Sequence, residues 1–426
     1  MKLTNTNRVI LFTIIGLCVI SIIYRLIPQK IIPQKVTLQL DLWQADDPVI
    51  QALILKFEEQ NPDIIIVPTG RTYSGLRESL LNPPPKDAEA EKDKKTVSPD
   101  LVMLDMDWLP GLLENDTLVS LEGFPRDDPD LAMMYESSKI DGESHAIPLF
   151  SDMYVFFYNI DVLKAAGFDR PPKDRDEFLR YARTLKDKSI YGIGMALSED
   201  NHFGMLSDIY SWFWDSGISF FRDGKPQFTA RPVQETITFL NTLSSEGLIS
   251  PGSFTKSERA KIDEFASGRT AMMIASLPVI HEIGPKVTFE WGISSVPSAL
   301  SYIGKPLFVT ESFGMGIYGK SEHKDEAWKF ISFLAAAGIN GELASGFYCL
   351  PKNQNAKASF ISENPQFEKT ITLFNTGEGI NEFDPYPLSN EAEKIIRDEL
   401  QAMMAGGQTP DAAAKNIQAT WEALLK

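Results

Sequence analysis

The sequence predicts an α/β fold, and three consecutive features at the start of the body lead to this prediction. Residues 36–43 alternate apolar and polar side chains, as a strand with one buried face does. Asp47 and Pro48 then suit the N-cap and the first position of a helix, and the apolar residues of 49–57 fall on one helical face. A second strand-like run follows at 64–67. A β-α-β unit of this kind implies two parallel strands joined by a right-handed crossover.

The same alternation of strands and helices continues along the chain. The apolar run Leu101–Leu104 is expected to be a central, buried parallel strand, because it has no polar position. We find no internal repeat of fixed period. The class is therefore α/β, with predicted helices at 175–186, 233–243, 326–334 and from Thr409-Pro410 onward, and predicted strands at 154–158, 270–276 and 313–318.

The charge distribution argues against one class of partner. The chain of 426 residues has 41 basic and 58 acidic side chains, a formal net charge of −17. The first 35 residues hold five basic residues and no acidic one, so the body carries 36 basic against 58 acidic groups. A body with this balance is repelled by phosphate backbones, and we therefore expect no nucleic-acid binding.

The first residues have the pattern of a signal or membrane-anchoring segment. Two basic residues precede an apolar run from Val9 to Tyr24, which is slightly short for a membrane span. Small residues that would mark a cleavage site do not follow it, so an uncleaved anchor is favoured, with lipidation at Cys18 as the alternative. We expect residues 1–35 to tether the acidic body to the cytoplasmic membrane, in the periplasm or on the cell exterior.

Sequence motifs for catalysis, cofactors and metals give no match with the required context. The four histidines are scattered, and the two cysteines cannot form a disulfide framework or a zinc knuckle. The stretch Gly314–Gly319 fits G-x-G-x-x-G, but a dinucleotide loop needs a helix that opens within the motif. Here the glycines lie inside a strand-like run, which favours close backbone packing. We expect no catalytic residue, no metal and no cofactor.

Two acidic residues follow the predicted buried strand and are candidates for ligand binding. Asp105 and Asp107 lie near the carboxyl end of that strand, where open α/β sheets bind their ligands, and Trp108 is beside them. Their i, i+2 spacing predicts that both face the same side. An N-cap role before Leu109-Pro110 is the alternative for Asp107, and the sequence leaves both roles open.

Five segments, in order along the body, resemble the family 1 extracellular solute-binding proteins of ABC importers, in the carbohydrate-binding branch. The resemblance extends from about residue 36 to the C-terminus. Each segment alone is a weak match, and five in order are a strong one. They are DLWQADDPVIQALILKFEEQNPDI, PDLVMLDMDWLPGLLENDTLVSL, GESHAIPLFSDMYVFFYNIDVLKAAGFDRPPKDRDEFLRYARTL, FASGRTAMMIASLPVI and ESFGMGIYGKSEHKDEAWKFISFLA.

The resemblance implies a two-lobed periplasmic-binding-protein fold, type II-like, in which each lobe is a sheet flanked by helices and the ligand lies between the lobes. We expect lobe 1 to comprise residues 36–152 and 274–333, and lobe 2 to comprise 153–273 and 334–426. Residues 83–98 are expected to form a mobile loop within lobe 1, because eight of the ten residues from Lys86 to Lys95 are charged.

The resemblance also implies a function without catalysis. The expected protein is a monomer that captures a sugar or oligosaccharide by a hinge motion and delivers it to the permease subunits of an ABC importer. One alternative is an anchored, glycan-active enzyme that uses a carboxylate pair such as Asp105 and Asp152. Another is a sensor of the same fold, which reports solute occupancy to a membrane partner without transport.

Candidate ligand contacts are aromatic or polar residues at the expected cleft, since sugar hydroxyls pair with carboxylates and sugar rings stack on aromatic faces. Trp291, Trp328 and Trp421 are expected in the core instead. The predicted ligand-binding residues are Trp43, Arg71, Tyr73, Asp105, Asp107, Trp108, Ser151, Asp152, Trp212, Trp214, Glu311 and Ser312. The pair Trp212 and Trp214 would face one way on a strand and diverge on a helix.

Overall fold

The computed structural model describes residues 35–82, 98–199, 201, 203–360, 376–382 and 389–425. The predicted anchor and nearly all of the predicted charged loop at 83–98 lie outside these residues. Within the described ranges, no helix combines the length and the apolar character needed to cross a membrane.

Strands and helices alternate over most of the described chain. The strands are β1 (Val36–Leu42), β2 (Ile64–Gly70), β3 (Leu101–Asp105), β4 (Ala146–Asn159), β5 (Tyr191–Gly194), β6 (Phe221–Arg222), β7 (Lys225–Pro226), β8 (Thr270–Ser276), β9 (Trp291–Ser294), β10 (Leu307–Ile317), β11 (Leu350–Pro351) and β12 (Glu378–Ile380). The helices are α1 (Pro48–Gln60), α2 (Tyr73–Leu81), α3 (Leu109–Glu114), α4 (Pro129–Ser137), α5 (Ile160–Ala165), α6 (Arg175–Lys186), α7 (Ser211–Trp214), α8 (Arg231–Ser245), α9 (Glu258–Ala266), α10 (Val279–Ile283), α11 (Lys324–Ala335), α12 (Ala337–Gly346), α13 (Ser389–Met404) and α14 (Pro410–Leu424). Short 3₁₀ turns lie at Met106–Trp108 and Ser253–Thr255, and a π-helical turn lies at Leu206–Tyr210.

Local sequence signals account for where two of the predicted helices begin. The Asp47 carboxylate accepts a hydrogen bond from the Val49 N–H at 2.8 Å, and Pro48 occupies the first turn of α1. Thr409 caps α14 in the same way, through the Ala412 N–H at 3.2 Å. Each cap satisfies a backbone donor that the helix itself leaves unpaired. The predicted starts of α1 and α14 are therefore confirmed.

A sheet with the main strand order β2-β1-β3-β10-β4-β8-β5 runs through the molecule. β1 pairs in parallel with β2 and β3, which confirms the predicted β-α-β unit. β10 lies antiparallel between β3 and β4. β4 continues past β10 to pair with β8 and β9. β4 and β10 are thus the long strands that join the two ends of the sheet.

The two long strands contribute to two different apolar cores. Ile147 and Phe150 of β4 pack in one core with β1, β3 and α11. Phe156 and Tyr158, further along β4, pack in a second core with α6, α8, α13 and α14. β10 divides likewise, with Met315 in the first core and Val309 in the second. This is a mixed α/β protein with two layered halves that share β4 and β10.

The glycine motif at 314–319 serves strand packing. A Cβ atom on Gly314 would lie 2.7 Å from the Ile147 carbonyl oxygen of β4 and 2.7 Å from the Met106 sulfur. Such contacts are too short, so glycine permits β10 to approach its neighbours closely. Gly314 and Gly316 lie in β10, as the sequence predicted, whereas Gly319 lies in the turn that follows the strand.

Candidate functional site

Three carboxyl side chains lie on one face of the central strands. In the antiparallel pairing of β10 with β3, Phe313 is opposite Asp105. In the pairing of β10 with β4, Glu311 is opposite Asp152. Residues directly opposite each other share a face, and so do residues two apart on one strand. Asp105, Glu311, Asp152 and Phe313 therefore project to the same side of the sheet.

These carboxyls are buried, and tyrosines hydrogen-bond two of them. Asp105, Glu311 and Asp152 expose 1%, 3% and 8% of their surface. The Tyr73 hydroxyl donates to Asp105 Oδ2 at 2.7 Å, and the Tyr154 hydroxyl donates to Glu311 Oε2 at 3.2 Å. The charge of Asp105 acts on Glu311 across this face. We call Asp105, Glu311 and Asp152 the carboxyl row.

Burial changes the protonation of two members of the carboxyl row, Asp152 and Glu311. Burial raises the pKa of Asp152 to about 7, against the hydrogen bonds that the carboxylate accepts from Met153, Ser276 and Leu277. Burial, followed by the charge of Asp105, raises the pKa of Glu311 well above its usual value. Buried carboxyls that face one another favour the neutral form. The row thus offers both donors and acceptors to a ligand.

An aromatic group lies against one end of the row. The Trp43 ring centroid lies 5.4 Å from that of Tyr73, 5.9 Å from that of Trp108 and 5.5 Å from that of Phe313. Trp108 Nε1 donates to the Tyr73 hydroxyl at 3.2 Å. Trp43 and Tyr73 are partly exposed, whereas Trp108 is buried. We call Trp43, Tyr73, Trp108 and Phe313 the aromatic group.

Phe203, from the other half of the molecule, contacts this group. The sequence did not predict this residue as part of the site. The ring of Phe203 lies 5.2 Å from that of Tyr73 at an edge-to-face angle of 60°. Phe203 precedes the π-helical turn and packs against the second core. No local motif marks Phe203, because its position depends on how the two halves of the sheet fold toward each other.

Asn201 and Asp208, which lie on either side of Phe203 in the sequence, make buried polar contacts. Asn201 Nδ2 donates to the Ala196 carbonyl at 2.6 Å, and Asp208 Oδ2 accepts from the Ala196 N–H at 2.7 Å. Lys261 Nζ lies 3.0 Å from Asp208 Oδ2 and 3.0 Å from Glu258 Oε2, with the Lys261 and Asp208 side chains fully buried. These contacts tie the segment to α9 and position Phe203 against Tyr73.

Three of the predicted ligand contacts belong to neither the carboxyl row nor the aromatic group. Arg71 lies beside the site but pairs with Asp41, at 3.0 Å between Nη2 and Oδ2. Ser151 and Ser312 are opposite each other on β4 and β10, one residue away from Asp152 and Glu311. Side chains alternate along a strand, so these two serines face the opposite side of the sheet from the carboxyl row.

The capping role considered for Asp107 falls to Asp105. Asp105 Oδ1 accepts a hydrogen bond from the Asp107 N–H at 3.3 Å, which caps the short 3₁₀ turn. α3 starts after Trp108 without a side-chain cap. Asp107 is half-buried and adds negative charge near Glu311.

Trp212 and Trp214 lie in the core of the second half. They occupy the short helix α7, so their rings diverge. Trp212 packs on Phe178 and Phe239, with ring centroids 5.2 and 4.9 Å away. Trp214 donates from Nε1 to Glu382 at 3.0 Å. Both side chains have no exposed surface, so neither offers a stacking face to a ligand in this structure.

The tryptophans predicted for the core are largely where the sequence placed them. Trp328 and Trp421 are 4% and 1% exposed. Trp291 is partly buried and packs on Phe157, with ring centroids 6.0 Å apart.

Replacing Tyr73 with phenylalanine tests the link between the aromatic group and the carboxyl row. The change keeps the ring but removes a hydroxyl that donates to Asp105 and accepts from Trp108. We expect the free energy of unfolding at pH 7 to fall by about 1–3 kcal/mol, because buried polar atoms lose a partner. Urea unfolding measures this loss. Tyr302→Phe is the control, since its hydroxyl bonds a carbonyl in an exposed loop; equal losses in both variants would contradict the assignment.

Comparison with known proteins gives matches to sequence and structure. The family model described as bacterial extracellular solute-binding protein matches residues 43–341. A protein of Brucella abortus (strain 2308), named as a binding protein without a stated ligand, is 23% identical over 338 residues, or 77% of this chain and 80% of that protein. Maltose-bound MalE3 of T. maritima superposes with a TM-score of 0.73 at 19% identity, covering 91% of this chain and 100% of that one. UgpB from Mycobacterium tuberculosis in complex with glycerophosphocholine gives 0.73 at 19% identity, covering 91% and 98%. At this identity the two structures establish the two-lobed fold.

Proposed function

Because the chain belongs to the bacterial extracellular solute-binding family, we propose that it captures a sugar or oligosaccharide between its two lobes and delivers it to an ABC importer. The observation that carries this proposal is the aromatic group beside the carboxyl row. Tyr73 of one half and Phe203 of the other approach each other at its edge. A solute held here would touch both halves of the molecule.

The chemistry of the site suits a polyol. Aromatic rings offer apolar area with little loss of side-chain entropy, and they can stack on the C–H face of a sugar. Asp105, Glu311 and Asp152 offer acceptors and, where protonated, donors for hydroxyl groups. A sugar that leaves one of these buried polar groups unpaired would lose about 1–3 kcal/mol, which gives selectivity among sugars.

We place the division between the lobes by the apolar cores. Residues 334–349 pack in the first core, with Leu343 and Phe347 against the elements around β1 and β3. The second core holds residues of α13 and α14. We therefore propose that lobe 1 also includes residues 334–349 and that lobe 2 resumes near the C-terminal helices, with β4 and β10 crossing between the lobes.

The site of action and the assembly follow from the same proposal. Members of this family act outside the cytoplasm. We propose that the apolar run Val9–Tyr24 tethers the body to the membrane as a monomer, within reach of the permease subunits. Closure of the lobes around the solute would present the surface that a permease recognises.

Intrinsic tryptophan fluorescence of the full chain across a panel of neutral mono- and oligosaccharides tests the proposal. We expect at least one saturable response, with calorimetry giving one site per chain. Replacing Trp43 with leucine should remove most of the response and weaken binding by about 2 kcal/mol, or about 30-fold in Kd. Trp328→Phe is the matched control, because that ring stacks on Phe124 inside the first core.

Analysis of the sugar recovered after binding separates a binding protein from an enzyme. Stoichiometric binding with the sugar unchanged supports the proposal. Release of new reducing ends would contradict it and favour a glycan-active enzyme. Co-purification with a permease and an ATPase distinguishes import from sensing, since a sensor has neither as a partner.

A further inference from the structure

We propose that Phe203 is a positioning residue for solute capture: its ring docks on Tyr73 of the opposite lobe and holds the two lobes together. This role rests on the proposed binding function and adds a contact that the protein makes with itself. The two ring centroids lie 5.2 Å apart, edge to face at 60°. Tyr73 begins α2 of lobe 1, whereas Phe203 packs against the core of lobe 2. We call the arrangement in which these two rings touch the closed arrangement.

The spacing of the two rings leaves no room for a sugar ring between them. Carbon atoms in contact lie about 3.5–4.0 Å apart, so a sugar ring stacked between two aromatic rings would separate them by about 7–8 Å. At 5.2 Å, Tyr73 and Phe203 contact each other instead. Phe203 therefore acts through the arrangement of the lobes, and not as a stacking surface opposite Tyr73.

Tyr73 is held in place by contacts within lobe 1. Its hydroxyl donates to Asp105 Oδ2 at 2.7 Å and accepts from Trp108 Nε1 at 3.2 Å. Thr72 caps α2, because its hydroxyl accepts from the Gly75 N–H at 3.0 Å. The ring of Tyr73 is thus fixed to the carboxyl end of β3 and to the first turn of α2.

Phe203 is held in place by contacts within lobe 2. Asn201 Nδ2 donates to the Ala196 carbonyl at 2.6 Å and to Glu258 Oε2 at 3.2 Å. The Gly204 N–H donates to the Asn201 carbonyl at 3.1 Å, and a Cβ atom on Gly204 would lie 2.1 Å from the Ala196 carbonyl oxygen. The turn that carries Phe203 is therefore tightly closed and bound to α9.

A rotation of one lobe relative to the other breaks the contact, because each ring is fixed to its own lobe. β4 and β10 cross between the lobes, and their pairing shifts register between Phe313 and Gly314. An irregularity of this kind bends a strand locally. A rotation at this point carries Phe203 away from Tyr73 and leaves the contacts within each lobe intact. The pair therefore stabilises the closed arrangement alone, and its loss shifts the population toward the open one.

Pulsed electron paramagnetic resonance (EPR) of the full chain, without solute, measures this population. Spin labels are attached through unnatural amino acids at Glu78 of α2 and Arg259 of α9, two exposed residues on opposite sides of the contact. We expect Phe203→Ala to lower the ratio of closed to open protein by about 3- to 10-fold, which is the effect of one aromatic pair. The same distance distribution in wild type and Phe203→Ala would overturn the proposal, as would a wild type that is entirely open.

Phe168→Ala is the matched control for Phe203→Ala. Phe168 also packs on a tyrosine, Tyr181, with ring centroids 3.6 Å apart, but both rings belong to lobe 2. Its removal should leave the ratio of closed to open protein unchanged, and equal shifts in the two variants would overturn the proposal. If Phe203→Ala does not fold, Phe203→Leu replaces it. A shift in the same direction is then expected, and the absence of a shift overturns the proposal.

Binding kinetics separate failure of this proposal from failure of the proposed function. For a sugar that binds wild type, Phe203→Ala should raise the dissociation rate constant about 3- to 10-fold and change the association rate constant less than about two-fold, because the contact forms after the solute has entered. Slower association with unchanged dissociation would overturn the proposal. If no sugar binds wild type, the sugar-binding function fails, while the EPR comparison still decides whether Phe203 holds the lobes together.

Discussion

Replacing Lys261 with alanine should lower the free energy of unfolding by about 3–5 kcal/mol, among the largest losses expected from a single change in this protein. The Lys261 ammonium donates to both Asp208 oxygens at 3.0 Å and to the Ile274 carbonyl at 2.8 Å. Lys261 and Asp208 have no exposed side-chain surface. Burial lowers the pKa of Lys261, but the carboxylates of Asp208 and Glu258 outweigh it, so the net direction is upward and the lysine stays charged. Alanine would leave Asp208 buried without its counterion.

Lys56→Ala is the matched control for Lys261→Ala. Its ion pair with Glu342 has a similar distance, 2.7 Å, but the two side chains are 42% and 53% exposed. Exposed pairs are screened by water, so the loss should stay below about 1 kcal/mol. Urea unfolding at pH 7 measures both variants. Equal losses would show that burial of the Lys261 pair does not govern its contribution. The Lys261 variant should also bind sugar more weakly, because the segment carrying Phe203 loses its anchor on α9.

The elements that the sequence predicted are those whose signals are local. A cap, a proline and an apolar helical face lie within a few residues, which is why the limits of α1, α6 and α14 agree with the prediction. β3 was predicted from its unbroken apolar run, and all five of its residues are buried. These features depend on backbone hydrogen bonding and side-chain period, both of which the neighbouring sequence decides.

The two long strands could be predicted only in part from local sequence signals. The sequence predicted strand at 154–158, whereas β4 runs from Ala146 to Asn159 and is buried throughout. Its first half contains Pro148, Ser151 and Asp152, which interrupt any apolar pattern. These residues form a strand because β10, about 160 positions further along the chain, pairs with them. Ser312 pairs with Ser151, and Glu311 pairs with Asp152. Such pairing is a tertiary property.

The candidate site was likewise predicted only in part, because some of its contacts depend on local sequence and others on the pairing of distant strands. Asp105, Asp107 and Trp108 were predicted as ligand contacts because they follow a recognisable strand. That Asp105 meets Glu311, and that Ser151 and Ser312 turn away, depends on the register of β10 against β3 and β4. Phe203 and Tyr154 were missed because single aromatic residues are common in cores. Trp212 and Trp214 were predicted as ligand contacts but lie in the core of this structure, since tryptophan alone does not distinguish a stacking surface from a core.

Replacing Asp152 with asparagine should stabilise the protein at alkaline pH and destabilise it at acidic pH. Burial raises the pKa of Asp152 from 3.8 to about 7. Between these values the folded protein binds a proton that the unfolded chain has released, so stability falls as the pH rises and the penalty is complete above about pH 7. A shift of this size corresponds to about 4 kcal/mol at pH 8. Asparagine cannot ionise, so this fall should disappear.

The net change at pH 8 is smaller than the full penalty. The carboxylate accepts a hydrogen bond from the Met153 N–H at 2.7 Å and bonds Ser276 and Leu277, and asparagine reproduces these contacts only in part. With a loss of about 1–2 kcal/mol for them, the variant should be about 2 kcal/mol more stable than wild type at pH 8 and less stable at pH 4. Urea unfolding from pH 4 to pH 9, with Glu342→Gln as the exposed control, measures the difference. A difference between Asp152→Asn and wild type that is constant across this range would mean that Asp152 keeps an ordinary pKa in the folded protein.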